Sequence, residues 1–204
     1  KEHDKNIDEA LNLLENQSYI QRNGELYEFL TDDEKDVEQE IKEVDADDQA
    51  VNQLLKEILF DEVIRDNKIK FEDNKQDYKF TSKIDGAVLG REEELGIEII
   101  TPNYHYYNEA NEMATQTMGL SLMRLLMPED GVFIKDAKMY IRTGKYIKQN
   151  QSTSLKPERK RILHDKSVQN IERRSNLVKL ANQLLSRSEV FINGTTQELG
   201  ATSD

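Results

Sequence analysis

Two local signals decide the fold of the first part of the chain, and both lie in the stretch Ser18-Tyr-Ile-Gln-Arg-Asn-Gly-Glu-Leu-Tyr-Glu-Phe-Leu-Thr-Asp-Asp-Glu34. Asn23-Gly24 separates two short segments of mixed polarity, and it suits a type I′ turn because both central residues of that turn need positive φ. Thr31 and Glu34 then form a capping-box pattern, in which Thr31 caps a helix and Glu34 reaches back to it. The stretch therefore predicts a β-hairpin followed by a helix.

The residues before the hairpin carry an apolar stripe at helical spacing, which predicts a helix over residues 7–15. Helix, hairpin and helix in this order form the back half of a winged-helix module, so we predict a winged-helix-like module over residues 1–46. The first helix contains Asp8 and Glu9 and has no basic residue after Lys5. Because a helix that faces phosphates needs positive charge, this composition favours a protein-contact or structural role over DNA reading.

The middle of the chain predicts two further modules. A broad apolar face after Asp47, followed by two alternating segments at 68–72 and 77–84, predicts a helix plus a β-hairpin over residues 47–94. A strand at 96–101, a helix at 108–127, a strand at 132–135 and a helix around Tyr140 predict a βαβ-like unit over residues 95–150, with parallel strands.

The last segment, residues 151–204, begins with a polar loop and continues as a basic helical segment with a terminal strand at 189–193. Apolar residues recur along the helix, Val168 and Ile171 among them, at spacings close to those of a helix-partner seam. The predicted fold class is therefore α+β, with a winged-helix-like N-terminal part, a small βαβ unit and a long C-terminal helix.

The composition of the 204 residues excludes several kinds of protein. The absence of Cys excludes a disulfide framework, thiol catalysis and thiolate metal sites. No apolar run approaches the roughly 20 residues of a membrane span, and no signal-peptide pattern opens the chain. We therefore expect a cytoplasmic protein without a membrane partner, and the first residue, Lys1, suggests a fragment of a longer protein.

Charge is unevenly distributed along the chain. The net charge is −12, but residues 1–100 carry −16 and residues 101–204 carry +4. An acidic half and a basic half indicate two surfaces with different partners. Alternatively, the two halves attract each other within the chain or between neighbours in an oligomer.

Basic residues concentrate around two tyrosines, Tyr140 and Tyr146. Basic groups interleaved with aromatic rings are typical of grooves that bind a nucleic-acid backbone. The alternative is a solvated helix pair that matches the acidic half of the chain. The predicted nucleic-acid contacts are Lys145, Lys148, Lys156, Arg159, Lys160 and Arg161.

The motifs of nucleotide-binding and hydrolytic enzymes are missing. Gly144-Lys145 is the one Gly-Lys pair, but Tyr146 follows it and no earlier Gly completes GxxxxGK[ST], so the backbone has no Gly-rich turn to wrap a phosphate. The three His residues are far apart and have no carboxylates at ligand spacing. We therefore predict no catalytic, cofactor-binding or metal-binding residue in this chain.

The aromatic run at 103–107 either stacks on a base or partner, or packs over the core.

Several stretches, taken in order and spacing, resemble a known family. They are residues 27–34, 74–86, 99–102, 143–146 and 188–194. Together they are similar to the middle of BrxC, the large P-loop ATPase of the bacteriophage exclusion (BREX) defence systems, and the resemblance covers most of residues 14–199.

The resemblance implies a bacterial cytoplasmic protein that acts with other phage-defence proteins against incoming DNA. ATP and Mg²⁺ are expected for the parent protein, at a P-loop module upstream, and no residue of this chain matches those motifs. The first functional hypothesis is therefore a non-catalytic assembly and coupling region, with self-association possible. The alternative is a sequence-nonspecific nucleic-acid-binding module that uses phosphate contacts, and an enzyme with an unrecognised carboxylate site ranks last.

Overall fold

The structure is a computed structural model that describes residues 2–23, 26–151 and 155–198. The chain is mixed α+β, and the predicted long C-terminal helix is present. The elements of the described residues are α1 (Glu2–Asn16), β1 (Ile20–Asn23), β2 (Leu26–Phe29), α2 (Asp32–Glu43), α3 (Asp48–Lys56), a π-helical segment (Glu57–Ile64), β3 (Lys68–Phe71), β4 (Gln76–Ile84), β5 (Ala87–Val88), β6 (Leu95–Ile100), α4 (Ala110–Thr115), β7 (Leu122–Leu126), α5 (Phe133–Asn150), α6 (Pro157–Leu185), β8 (Glu189–Ile192) and β9 (Thr195–Glu198).

The chain forms two compact units, and each unit is assembled from two separate segments. Unit 1 consists of Lys1–Asp47 and Lys138–Asn176, and unit 2 consists of Asp48–Ala137 and Leu177–Asp204. The four consecutive modules suggested by the sequence remain a prediction about domain organisation.

Unit 1 begins with the predicted order of helix, hairpin and helix. Strands β1 and β2 pair antiparallel with Asn23 opposite Leu26. The predicted turn at Asn23-Gly24 lies partly outside the described residues. The predicted capping box is confirmed, because Thr31 accepts from the backbone N–H of Glu34 while the Glu34 carboxylate accepts from the backbone N–H of Thr31 at 2.8 Å.

The core of unit 1 joins its two segments. Val37 and Ile41 of α2 pack with Tyr146 of α5 and with Ile162 and Leu163 of α6, and all five are buried. Burying one large apolar side chain stabilises a fold by about 1.5–3 kcal/mol. The narrow apolar stripe of α2, on an otherwise charged helix, therefore packs that helix on α5 and α6.

Unit 2 contains a seven-stranded sheet. Its strand order is β3-β4-β6-β7-β8-β9, and β5 pairs with β4 off this path. The neighbours β4, β6 and β7 run parallel, and the remaining pairs are antiparallel. Ile100 of β6, Met113 of α4 and Phe191 of β8 form a buried cluster on this sheet.

The boundaries of the parallel unit differ from those predicted. The helix predicted at 108–127 is wrong, because α4 ends at Thr115, Gly119 adopts a φ of +69°, and β7 follows. The strand predicted at 132–135 is also wrong, since α5 begins at Phe133, whose backbone N–H donates to the Asp130 carboxylate at 3.1 Å. A parallel pair is present at other bounds, because β6 and β7 pair in parallel and α4 lies between them in the chain.

None of the helices in the described part of the chain has the length and apolar content that crossing a membrane requires.

Candidate functional site

Two of the six predicted nucleic-acid contacts are held by acidic residues of unit 1. Lys145 forms an ion pair with Asp47 at 3.0 Å and donates to the backbone carbonyl of Asp45 at 3.2 Å. Arg159 forms an ion pair with Glu40. These two cations therefore form ion pairs within unit 1.

The Arg159 contact is part of a three-membered network. The guanidinium also donates to the Tyr146 hydroxyl at 2.7 Å, and that hydroxyl donates to Glu40. The hydrogen bond from Arg159 lowers the pKa of Glu40, and the Glu40 carboxylate raises the pKa of Arg159. Burial, followed by the hydrogen bond to Glu40, raises the pKa of Tyr146. The network thus stabilises a charged pair and keeps the phenol neutral.

The other four predicted contacts are exposed side chains. Lys148 lies near the end of α5, whereas Lys156 immediately precedes α6, and Lys160 and Arg161 lie near its beginning. Lys156 and Lys160 share a helix face, because the backbone N–H of Lys160 donates to the carbonyl of Lys156 at 3.1 Å. The structure therefore divides the six cations into an internally paired set and a solvent-facing set.

Sequence reasoning missed a buried ion pair in unit 1. Lys166 of α6 pairs with Glu38 of α2, both side chains are more than nine-tenths buried, and Lys166 also donates to Gln21 of β1 at 2.6 Å. Each charged residue lies beside buried apolar residues of its own helix, Val37 in one case and Ile162 in the other. A charge placed inside an apolar stripe was the available signal, but it does not identify the partner.

The β1–β2 hairpin presents apolar side chains to solvent. All four residues of β2 are exposed, including Phe29 at 87 % and Leu26 at 68 %. Tyr27 and, on the preceding segment, Tyr19 are exposed as well. We call Tyr19, Leu26, Tyr27 and Phe29 the hairpin surface, in which strand alternation places Tyr27 and Phe29 on one face of the hairpin and Leu26 on the other. A cluster of exposed apolar residues on one small element is typical of a protein-contact site.

Unit 2 has a buried charge pair across its parallel strands. Glu98 on β6 lies opposite Arg124 on β7 and pairs with it at 2.7 Å. Arg124 also donates to the Met113 carbonyl at 3.0 Å and to Gln116 at 2.9 Å, and Glu98 accepts from the backbone N–H of Gly86 at 3.0 Å. Both charges are compensated and hydrogen-bonded, so the pair is suited to fixing the sheet.

A second carboxylate lies at the carboxyl ends of these strands. Asp85 accepts from the Thr101 backbone N–H at 2.7 Å and from the Thr101 hydroxyl at 2.6 Å. Burial raises the pKa of Asp85 to about 6, although the two hydrogen bonds from Thr101 oppose the rise. Asp85 therefore joins the end of β4 to the end of β6.

The aromatic run at 103–107 packs on the sheet. Tyr104 and Tyr107 contact the buried cluster of unit 2, and the Tyr107 hydroxyl donates to the Met127 carbonyl at 2.8 Å. The rings of Tyr104, His105 and Tyr106 lie against one another. This arrangement favours packing over the core rather than base stacking.

The Gly144-Lys145 pair does not form a phosphate-binding loop. Gly144 and Lys145 lie inside α5, where the backbone N–H groups are used by the helix, and Lys145 pairs with Asp47. Among the described residues, no group of three His, Asp or Glu side chains is placed to hold a metal ion.

Taken together, the geometry defines a mixed α+β protein domain with internally paired buried charges and exposed apolar and basic surfaces. Residues 44–204 match the family described as the fourth domain of the BREX ATP-binding protein BrxC, with a six-stranded beta sheet. The chain belongs to this family, as the sequence resemblance indicated, and it is a domain of a BREX phage-defence system. The six-strand path of unit 2 agrees with the description of the family.

The match begins after α2, so α1, the β1–β2 hairpin and α2 precede it. No solved structure matches the chain.

Proposed function

We propose that the chain is a non-catalytic assembly and coupling region of a phage-defence ATPase, acting in the bacterial cytoplasm. Its partners would be other proteins of the same BREX system. Family membership supports this role, because a BREX domain works beside other components of that system. The helix–hairpin–helix order supports a winged-helix-like module, and the acidic residues of α1 favour protein contact over DNA contact for that module.

The observation that carries the proposal is the hairpin surface. A two-stranded hairpin that exposes Phe29 and Leu26 to water gains little from its own packing. A partner that covers these side chains removes apolar area from water, which is the main favourable contribution to association. The hairpin surface therefore supplies a docking point for another protein.

The experiment measures binding of the chain to each of the other system proteins, purified separately, by calorimetry. Phe29→Ser should weaken the binding at least about tenfold, because anchoring aromatic residues dominate interface energies. The matched control is Phe71→Ser, which removes an equally aromatic, exposed residue from a hairpin strand of unit 2. Absence of binding to every system protein, or equal weakening by both variants, would contradict the proposal.

We further propose that ATP and Mg²⁺ act upstream in the parent protein and not on this chain. The position of Gly144-Lys145 inside a helix supports this view. Calorimetry with MgATP should give no heat of binding, and a site in the micromolar range would overturn the proposal.

The second candidate function is sequence-nonspecific nucleic-acid binding through phosphates, and the exposure of Lys148, Lys156, Lys160 and Arg161 favours it. Replacing Lys156, Lys160 and Arg161 by Glu should abolish any binding of duplex DNA while the fold persists, because these side chains face solvent. For each phosphate that the protein no longer neutralises, the slope of log affinity against log salt should become shallower by roughly 0.9. A gel-shift titration at low salt decides the question, and a wild-type chain that shifts no DNA excludes this function.

A further inference from the structure

A groove runs between α5 and α6 within unit 1. It encloses about 490 Å³ and is lined on α5 by Tyr140, Gly144 and Lys148 and on α6 by Asn170, Ile171 and Arg174. From Tyr140 to Lys148 it follows α5 for about 12 Å at 1.5 Å per residue. This length corresponds to about two helical turns.

Gly144 of α5 lies among the residues that line the groove. A Cβ added at Gly144 would lie 3.8 Å from the Asn170 side-chain nitrogen, which is an ordinary contact distance, so a side chain at this position would extend the wall of the groove without a clash at its Cβ. The opposite wall is fixed, since Asn170 donates to the Tyr140 carbonyl at 3.1 Å. The groove is therefore a formed depression between two anchored helices.

The lining combines cations with an exposed apolar residue. Lys148 is exposed, and the guanidinium of Arg174 lies 6.0 Å from the centre of the Tyr140 ring. Ile171 is 69 % exposed, and none of the described lining residues is acidic. An occupant should therefore carry carboxylates and an apolar anchor. A phosphodiester backbone would pair with Lys148 and leave Ile171 without an apolar partner.

Helix α1 has the complementary composition. It contains five acidic residues and one Lys, and Ile7 and Leu13 are each 56 % exposed. The other acidic helix of unit 1, α2, buries its apolar residues Val37 and Ile41. Of these two acidic helices, α1 is the one that still has large apolar side chains available.

We propose that the α5–α6 groove binds helix α1 of a second copy of this chain. Either Ile7 covers Ile171 and the neighbouring carboxylate of Asp8 faces Lys148, or Leu13 covers Ile171 and Glu9, one turn earlier on the same face, faces Lys148. The contact combines removal of apolar area from water with complementary charge. It gives this region a self-association surface separate from the hairpin surface.

Sedimentation equilibrium of the full chain, from low to high micromolar concentration, tests the proposal. The wild-type chain should associate, and Ile171→Asp should raise the dissociation constant about tenfold or more. Lys148→Glu should weaken association and reduce its dependence on salt. Gly144→Met should weaken it by filling the groove without changing charge. Lys160→Glu, an exposed charge reversal on α6 outside the groove, should have no effect.

The reciprocal variant identifies the occupant. Asp8→Lys with Glu9→Lys should weaken association, and combining it with Lys148→Glu should restore much of the loss, because opposite charges again face each other. Circular dichroism of each variant confirms that the fold is retained.

Three results would overturn the proposal. They are a wild-type chain that stays monomeric at every concentration, association that survives Ile171→Asp, and equal weakening by Lys160→Glu. If Lys148→Glu lowers binding of duplex DNA while self-association is unchanged, the groove is a nucleic-acid surface and the proposal is also wrong.

Discussion

Glu98 and Arg124 are two opposite charges held out of water on adjacent parallel strands. Arg124→Met removes one partner and leaves the Glu98 carboxylate buried with only the Gly86 N–H as a described donor. Loss of one member of a buried pair typically costs about 3–5 kcal/mol, because the remaining charge is uncompensated. Urea unfolding of wild-type and variant chains measures the difference in free energy.

The matched control for this pair is Lys68→Met, which breaks the exposed cross-strand pair with Asp77 on β3 and β4. An exposed ion pair contributes only about 0–1 kcal/mol, so this variant should unfold almost like the wild-type chain. Equal effects of the two variants would show that the Glu98–Arg124 pair is not isolated from solvent.

Asp85 gives the stability of the chain a pH dependence of known sign. Its pKa is about 6 in the folded chain and 3.8 ordinarily, so between these values the folded chain holds a proton that the unfolded chain has released. The contribution of this group to stability is therefore present below the ordinary pKa and is lost as pH rises towards 6. Asp85→Asn removes this pH-dependent loss of stability, because the amide does not titrate. The melting temperature of the variant relative to wild type should rise between pH 4 and pH 7, and a constant difference would contradict the assignment.

At the scale of elements, the capping box of α2 gives a prediction. Thr31→Ala removes the side chain that accepts from the Glu34 backbone N–H, and such a change typically costs about 1 kcal/mol. Hydrogen bonding to the backbone of Thr31 also lowers the pKa of Glu34, through a contact that depends on the same cap geometry. Gln39→Ala, at an exposed position within α2, should leave the melting temperature nearly unchanged. Identical melting of both variants would mean that the cap does not stabilise α2.

Elements whose signals are local were predictable from the sequence. The helices α1 and α2 and the antiparallel pair β3–β4 follow from periodicity and capping within short windows. Strand β7 was not predictable, because its apolar residues also fit a helical period, and the parallel pairing with β6 decides the conformation. The start of α5 had a signal in Asp130, which accepts from the Phe133 N–H in the manner of an N-cap.

The candidate site was predictable only as a charge pattern. The sequence identifies six cations, but which of them are internally paired depends on acidic residues about 100 or more positions away. Lys145 and Arg159 face Asp47 and Glu40, whereas Lys156 and Lys160 face solvent. The acidic partners of these cations could not be identified from the sequence, because they come into contact only when the two segments of unit 1 pack together.

At the scale of the whole molecule, the acidic and basic halves meet within each unit. Glu38, Glu40 and Asp47 of the first half pair with cations of the second half in unit 1, and Glu98 pairs with Arg124 in unit 2. This supports the intramolecular interpretation of the charge asymmetry for the residues involved. It also means that neither half contains a complete core.

Dividing the chain after Tyr106 tests this interdependence. The fragment of residues 1–106 lacks the α6 residues that pack on Val37, and the fragment of residues 107–204 lacks the β6 partner of β7. Neither fragment alone should melt cooperatively. An equimolar mixture should recover helical circular dichroism and a cooperative transition, because the fragments carry opposite net charge and complementary cores.

Glu38→Ala with Glu40→Ala in the first fragment should weaken recovery, since Lys166 and Arg159 then lose their partners. Cooperative melting of either fragment alone would show that the segments fold independently.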